Sequence, residues 1–475
     1  MITRRRFLQS SLTAALVPLL PAVPTIAQAQ STLRVRQNFT TFRSNPLFSV
    51  YMDTVQKMRS NTNSADPNSW NYWVNVHKDY CPHRVPYFLA WHRGFLYRIE
   101  SQMRKIARNN SLAVPYWDYY QDPIMPIEFT DTTSPLYIAN RKSTDVTNAL
   151  SLDPFSDSIV NFQRGLVDAF EPSLETLPHN PVHNLIGGAM GAVTISPKDP
   201  IFWSHHANVD RLWAAWVAAG NGRTMPPKTD SYWSGSFNYG AAVSKMSRYW
   251  TISTTGLGYE YEDQTMPTAL PVVMSASTTS ALSASALTMQ AVTAPQTTAL
   301  SVSLGNGQPL TLDHRSLNLV VPLTDADRSK VRSLLLRQAA TNAPPKVNTA
   351  LRVVLDGVRL TPLGLQGGYY YKLYINLPIQ KGVSHPESRY LIGTLGPFEI
   401  TGILNHEALM GGKMHGNNDP VSMTFPATDA LQRLWPVQLD KLTISFVRVD
   451  NGAPVKGAVI RVKSFRLEAA DATAM

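Results

Sequence analysis

Asp199-Pro200-Ile201-Phe202-Trp203-Ser204-His205-His206-Ala207-Asn208-Val209-Asp210-Arg211 decides how this chain is read. His206 heads an apolar stripe that continues through Val209, Trp213 and Trp216, the spacing of one buried helix face. An imidazole at the head of such a stripe points into a core. The pattern recurs upstream, where His92 in Ala90-Trp91-His92-Arg93 leads Leu96, Ile99, Met103 and Ile106. His179 and His183 lie four residues apart and share a face if a helix begins there. Pro181 between them is tolerated only in the first turn of that helix, because proline has no N–H to give an interior turn. Three helices therefore aim imidazoles at one bundle core, where metal sites in helical bundles are built.

Seven of the eleven histidines fall between 77 and 206, in two clusters: His77, His83 and His92, then His179, His183, His205 and His206. A lone buried histidine is readily a satisfied core residue. Six of them are costly to bury unless something uses their lone pairs. All-imidazole ligation suits copper, with zinc as its rival. Three ligands per cluster also leave coordination positions open for a reactant. The single cysteine, Cys81, rules out an intramolecular disulfide, a cysteine-based zinc site and a four-cysteine iron–sulfur cluster.

Outward from these clusters, the chain divides by composition. Residues 1–29 have a charged start at Arg4, Arg5 and Arg6, an apolar run and the small-residue site Ala27-Gln28-Ala29. That order is a signal peptide, and the paired arginines before Phe7-Leu8 resemble a twin-arginine export signal, so a periplasmic or secreted location is expected. Residues 30–265 are rich in Trp, Tyr and His with helical periodicity. No charged residue occurs between Asp263 and Asp313, and 20 of the 29 residues from 275 to 303 are Ser, Thr or Ala. Residues 266–303 therefore read as a linker. From 304 to 475 the period switches to two, as in Lys441-Leu442-Thr443-Ile444-Ser445-Phe446 and Ile460-Arg461-Val462-Lys463. The expected architecture is a mainly α domain, a helical bundle holding the binuclear site, followed by a C-terminal β-sandwich. The net charge of +10 is scattered, which gives no footprint for nucleic acid. No stretch after the signal reaches the roughly 18 apolar residues of a membrane span.

Both clusters resemble the copper A and copper B motifs of the tyrosinase, catechol oxidase and molluscan haemocyanin family. Tyr80-Cys81-Pro82-His83, Phe88-Leu89-Ala90-Trp91-His92-Arg93-Gly94-Phe95, Pro115-Tyr116-Trp117-Asp118 and Asp199 to His206 carry the resemblance. It ends at Tyr259-Glu260-Tyr261, similar to the family's closing Tyr-x-Tyr. The resemblance implies two copper ions per chain and O2 as cosubstrate. It puts His77, His83 and His92 on copper A, and His179, His183 and His206 on copper B. His205 and Asp210 become supporting groups behind the ligands, and Val193 and Asn184 fall at the substrate pocket.

The activity implied is o-hydroxylation of monophenols and oxidation of o-diphenols to o-quinones. Glu175 and Asn180 occupy the positions at which family members hold a water as general base. Cys81 is placed for a thioether to the His83 ring. The C-terminal domain resembles a lid of latent enzymes, with residues 405–418, including His406, Met414 and His415, as plug candidates. Partners admitted by this reading are a small phenol, the twin-arginine translocase and a copper chaperone. A catechol oxidase without monophenolase activity, a copper oxygen carrier and a zinc hydrolase are the alternatives.

Overall fold

The computed structural model describes residues 33–271, 289–290, 301–306, 309–321, 323–339, 351–378, 388–409, 419–434, 436–452 and 456–470. The export signal read at 1–29 and most of 266–303 lie outside them. Five helices frame the first part of the chain: α1 (Leu47–Ser60), α2 (Trp70–Tyr80), α3 (Phe88–Ala107), α4 (Asn180–Ile186) and α5 (Ile201–Ala218). Ser69 starts α2 by accepting the Asn71 N–H at 3.3 Å. The α3 stripe buries Leu96, Ile99 and Met103, while Ile106 in the last turn is half-buried. Every residue of α5 from Ile201 to Trp216 is buried, so this helix is the central strut and not a one-sided one.

Asp210 fastens α5 to its surroundings. Arg93 of α3 donates to it at 2.6 Å, Arg36 at 3.0 Å, and the Tyr259 and Tyr261 hydroxyls both at 2.6 Å. The two tyrosines sit on a strand, Tyr259–Tyr261, paired in parallel with Arg34–Arg36, which closes the ends of the helical region on each other. Asp210 touches none of the histidines in these contacts. It acts one helical turn below His206, as the pin between the helices that carry His92 and His206.

The later part is sheet-rich, as the period of two predicts. One sheet runs Leu391–Leu395, Tyr369–Ile375, Thr443–Asp450, Leu317–Val320, Met289–Gln290. The other runs Ser301–Asn306, Ser464–Ala470, Leu351–Leu360, Ile460–Val462, Leu310–Leu312, with Val421–Pro426 also paired to Leu351–Leu360. Ile444, Phe446 and Leu373 of the first share one apolar core with Val353, Leu355 and Leu467 of the second, which makes a β-sandwich. Strands begin inside the stretch read as a linker: Met289–Gln290 pairs in parallel with Asn318 and Leu319.

Two glycine pairs let this sandwich approach the helices closely. A methyl group at Gly367 would sit 2.6 Å from the Gly187 Cα, just past the end of α4. The Gly188 N–H donates to the Gln366 carbonyl at 3.2 Å, and the Gly368 N–H to the Asn184 carbonyl at 2.8 Å. Between two strands the chain also forms α6 (Pro397–Leu409), whose Asn405 amide donates to the Lys78 carbonyl at the end of α2 at 2.8 Å. No helix among the described residues is long and apolar enough to cross a membrane.

Candidate metal centre

His77 lies in the last turn of α2, His92 in the second turn of α3, and His83 in the loop joining them. The second set comes from the chain around α4 and from α5. The helix that begins at Phe170 breaks at Leu177 (φ −145°, ψ 123°) and restarts as α4, with His179 at its cap and Pro181 in its first turn. His77, Cys81, His83 and His92 bring ligand atoms within 4.8 Å of one another, and so do His179, His183, His205 and His206. All of them are buried.

Backbone carbonyls and one amide orient the rings. His77 Nδ1 donates to the Val193 carbonyl at 3.0 Å, His92 Nδ1 to the Phe88 carbonyl at 2.8 Å, and His183 Nδ1 to the Met190 carbonyl at 2.9 Å. His179 Nδ1 donates to Asn180 Oδ1 at 2.8 Å. Each of these acceptors fixes the proton on Nδ1 and leaves the lone pair on Nε2, as metal-binding histidines require. The Nε2 atoms then meet: His206 Nε2 lies 3.4 Å from those of both His179 and His183. Facing lone pairs repel unless a cation lies between them. Two ligands at ~2.0–2.1 Å from one tetrahedral ion are spaced about like this. Among the described residues, His77 Nε2 and both His83 nitrogens are buried with no hydrogen-bond partner. Burial, followed by mutual repulsion, drives the His77, His92, His179, His183 and His206 rings far below the usual imidazole range, so they are neutral donors. The residues fit a metal pair. The two sets also share a wall, since the His92 and His206 rings stack with centroids 4.2 Å apart.

Around the rings the structure sorts the remaining expectations. His205 joins the second set, with both nitrogens unpartnered and its ring 5.3 Å from that of His179; burial lowers it to about 3. Cys81 Sγ lies 3.3 Å from His92 Nε2, at the ligand end of the first set. Glu175 accepts the Arg84 N–H at 2.8 Å, pairs with the Arg164 guanidinium, and stands 3.6 Å from His83 Nδ1. Burial alone would raise this carboxyl, but Arg164 and the hydrogen bonds hold it down to about 2. Asn180 spends its Oδ1 on His179.

Val193 works through its backbone, with its carbonyl on His77 and its N–H donated to Thr401 Oγ1 of α6 at 3.2 Å. Asn184 is fully buried, and its amide faces α6.

Two residues escaped the sequence reading. Glu171, one turn before Glu175, accepts the Leu89 N–H at the start of α3 and the Tyr232 hydroxyl; burial pushes it up to about 7. Phe398 of α6 lies flat on His183, centroids 3.9 Å apart and planes 12° apart, and 5.2 Å from His83. Of the plug candidates at 405–418, residues 410–418 lie outside the described residues, and Asn405 is used on Lys78. A phenylalanine in Gly396-Pro397-Phe398-Glu399 carries no local signal that would have singled it out.

Comparison with known proteins agrees with this geometry. The common central domain of tyrosinase matches residues 67–145 and 129–219, a span that holds all seven histidines. A tyrosinase of Hahella sp. (strain CCB-MM4) is 30% identical over 262 residues, covering 41% of this chain and 55% of that protein. The chloroplastic polyphenol oxidase of Spinacia oleracea is 27% identical over 274 residues, 43% of each. The chain thus matches about half the length of these curated relatives. In fold, the structure of latent apple tyrosinase aligns over 93% of this chain and 98% of its own, with TM-score 0.55 and 20% identity, so the likeness extends through the C-terminal sheets. With residues 67–219 matched and both imidazole sets assembled within them, this part of the chain is a tyrosinase common central domain, and its two histidine sets fit two copper ions.

Proposed function

We propose that this protein is a copper-dependent phenol oxidase that uses O2 to oxidise o-diphenols to o-quinones and to hydroxylate small monophenols at the ortho position. The stacked His92 and His206 rings carry the reading, because they make two separate imidazole sets neighbours that share one reaction space. His77, His83 and His92 hold one copper, and His179, His183 and His206 the other. When bound, the pair supplies two electrons together and binds O2 and a phenolate.

The chain supplies orientation and proton handling. Val193, Phe88, Met190 and Asn180 fix the tautomers, which keeps the Nε2 donors in place without rearrangement. Glu175 is the carboxylate nearest His83 and the group that takes the phenol proton through a water, with Asn180 offering its Nδ2 donors to that water. A second reading, oxidation of o-diphenols alone, is favoured by the commitment of both Glu175 oxygens to Arg84 and Arg164. Aerobic assays of copper-loaded protein with L-tyrosine and L-DOPA separate the two. Turnover of both supports the first reading and of L-DOPA alone the second. Two bound coppers with no turnover, after cleavage at 275–303, refute both.

The C-terminal sandwich serves as the lid of a latent enzyme, and Phe398, which stacks on His183, is the ring that keeps the phenol out. Cleavage in 275–303 then raises activity. Cys81 and His83 form a thioether during copper maturation, the loss of two hydrogens being taken up by copper and O2. Its mark is a Cys81 peptide two hydrogens lighter and inert to alkylation, and a freely alkylated Cys81 excludes it. Export runs through the twin-arginine route, so replacing Arg5 and Arg6 by lysine leaves the precursor in the cytoplasm.

A further inference from the structure

α6 starts without a cap of its own. The residue before Pro397 is Gly396, which has no side chain to accept a first-turn N–H. The acceptor comes from the helical domain instead: the Phe398 N–H donates to Asn184 Oδ1 at 2.9 Å. The other end of the same amide donates to Glu399 Oε2 at 2.8 Å, and Thr394 Oγ1 donates to Glu399 Oε1 at 2.7 Å. Asn184 and Glu399 are both buried, so neither bond competes with bulk water. The close approach depends on glycine, since a methyl group at Gly396 would lie 2.5 Å from Asn184 Oδ1. Gly396 is not among the residues with positive φ, so alanine there meets no left-handed backbone strain, and its nearest collision is with the Asn184 side chain.

We infer that Asn184 is the latch of an autoinhibited state: it caps α6 from the other domain, and so holds Phe398 against His183. The inference rests on the lid reading and adds what keeps the lid shut. Phe398 stacks on His183, and Asn184 is the next residue, so the blocked ring and the catch are adjacent on α4. The anchor between Gly187 and Gly367 lies one turn further on and does not involve Gly396. The latch and the domain anchor are therefore separable by mutation. Losing the trans cap and the bond to a carboxylate shifts the closed-to-open ratio on the order of 10-fold or more.

The test uses the full-length, copper-loaded chain as wild type, Gly396→Ala and Glu399→Gln. Two quantities are read: the initial rate with 4-methylcatechol before and after cleavage at 275–303, and the half-time of copper removal by excess EDTA. Gly396→Ala should raise the uncleaved rate about 10-fold or more and shorten the EDTA half-time by a similar factor, while the cleaved rates coincide. Glu399→Gln keeps the shape and the Gly396 contact, so it should give a smaller rise in both; it decides the matter if Gly396→Ala does not fold. Unchanged uncleaved rate and unchanged EDTA half-time in the folded variants overturn the latch. If no form oxidises catechol even after cleavage, the phenol oxidase reading fails, and the EDTA half-times still report on the latch.

Discussion

The two histidine sets solve the same problem with different supports. The first is held mostly from its own domain, with two outside bonds, from Asn405 to the Lys78 carbonyl and from the Arg84 guanidinium to the Thr424 carbonyl. The loop carrying His83, residues 81–87, is held at Arg84, whose N–H donates to Glu175, and just past its end at Leu89, whose N–H donates to Glu171, two carboxylates one helical turn apart. The second set leans on the C-terminal sandwich, because α4 is gripped at Asn184 by α6 and Gly368, and at Gly188 by Gln366. The first site is thus preorganised chiefly by neighbours in its own domain, whereas the second is gripped directly by the part of the chain that stacks on it. Val193 ties the first set to α6, with its carbonyl on His77 and its N–H on Thr401.

The largest expected effect comes from removing a ligand on either side. His77→Ala and His183→Ala should each lower bound copper from two per chain to one and cut catechol turnover by roughly 10³-fold or more, read by metal analysis and initial rates. Retention of two coppers in either variant breaks the assignment of that set.

Next, Phe398→Ala should bring the uncleaved rate to within about 2-fold of the cleaved one, because the ring on His183 is gone while the α6 cap remains. A rate still far below the cleaved value would move the block elsewhere on α6.

Glu175→Gln should destabilise the copper-free protein by about 1–3 kcal/mol near neutral pH, since it leaves the partly exposed Arg164 unpaired. The pH dependence has a definite sign. Glu175 is held down to about 2 from an ordinary 4.5, so its stabilisation is present above 4.5 and is lost as pH falls through about 2. Denaturation profiles of wild type and variant should converge in that acid window, and parallel profiles would contradict the ion pair's role.

The smallest effect is at Glu171, raised to about 7 from 4.5. Its contribution is fully present below 4.5 and is lost as pH rises through about 7. Glu171→Gln should therefore be near neutral at pH 5 and stabilising by about 1 kcal/mol at pH 8. The opposite signs at 171 and 175 sharpen the picture of one clamp built from two differently charged halves.

Much of the site was legible because metal ligation needs particular residue types at particular spacings. His92, His179, His183 and His206 announced themselves by sharing helix faces, and His77 and His83 by flanking Cys81 in the motif. The strand alternation at Leu442, Ile444 and Phe446 was equally plain, and these residues are buried in the sandwich core. Less was legible where a helix is buried on every side, since α5 shows a stripe only as one of several apolar faces. The strand at Met289 lay hidden in a low-complexity stretch, because a pairing of two residues leaves no period to read.

By itself the sequence determined which side chains could hold metal, that there are two sets, and that a helical part precedes a β part. Those properties follow from residue chemistry and short-range periodicity. The tertiary structure alone decided that Phe398 covers His183, that Asn184 caps a helix in the other domain, and that Asp210 pins α5 through four partners. Residues 184 and 398 are more than two hundred positions apart, and nothing local in either stretch encodes the other. Their contact exists only because Gly187, Gly367 and Gly396 let two backbones come close enough for an amide to reach across.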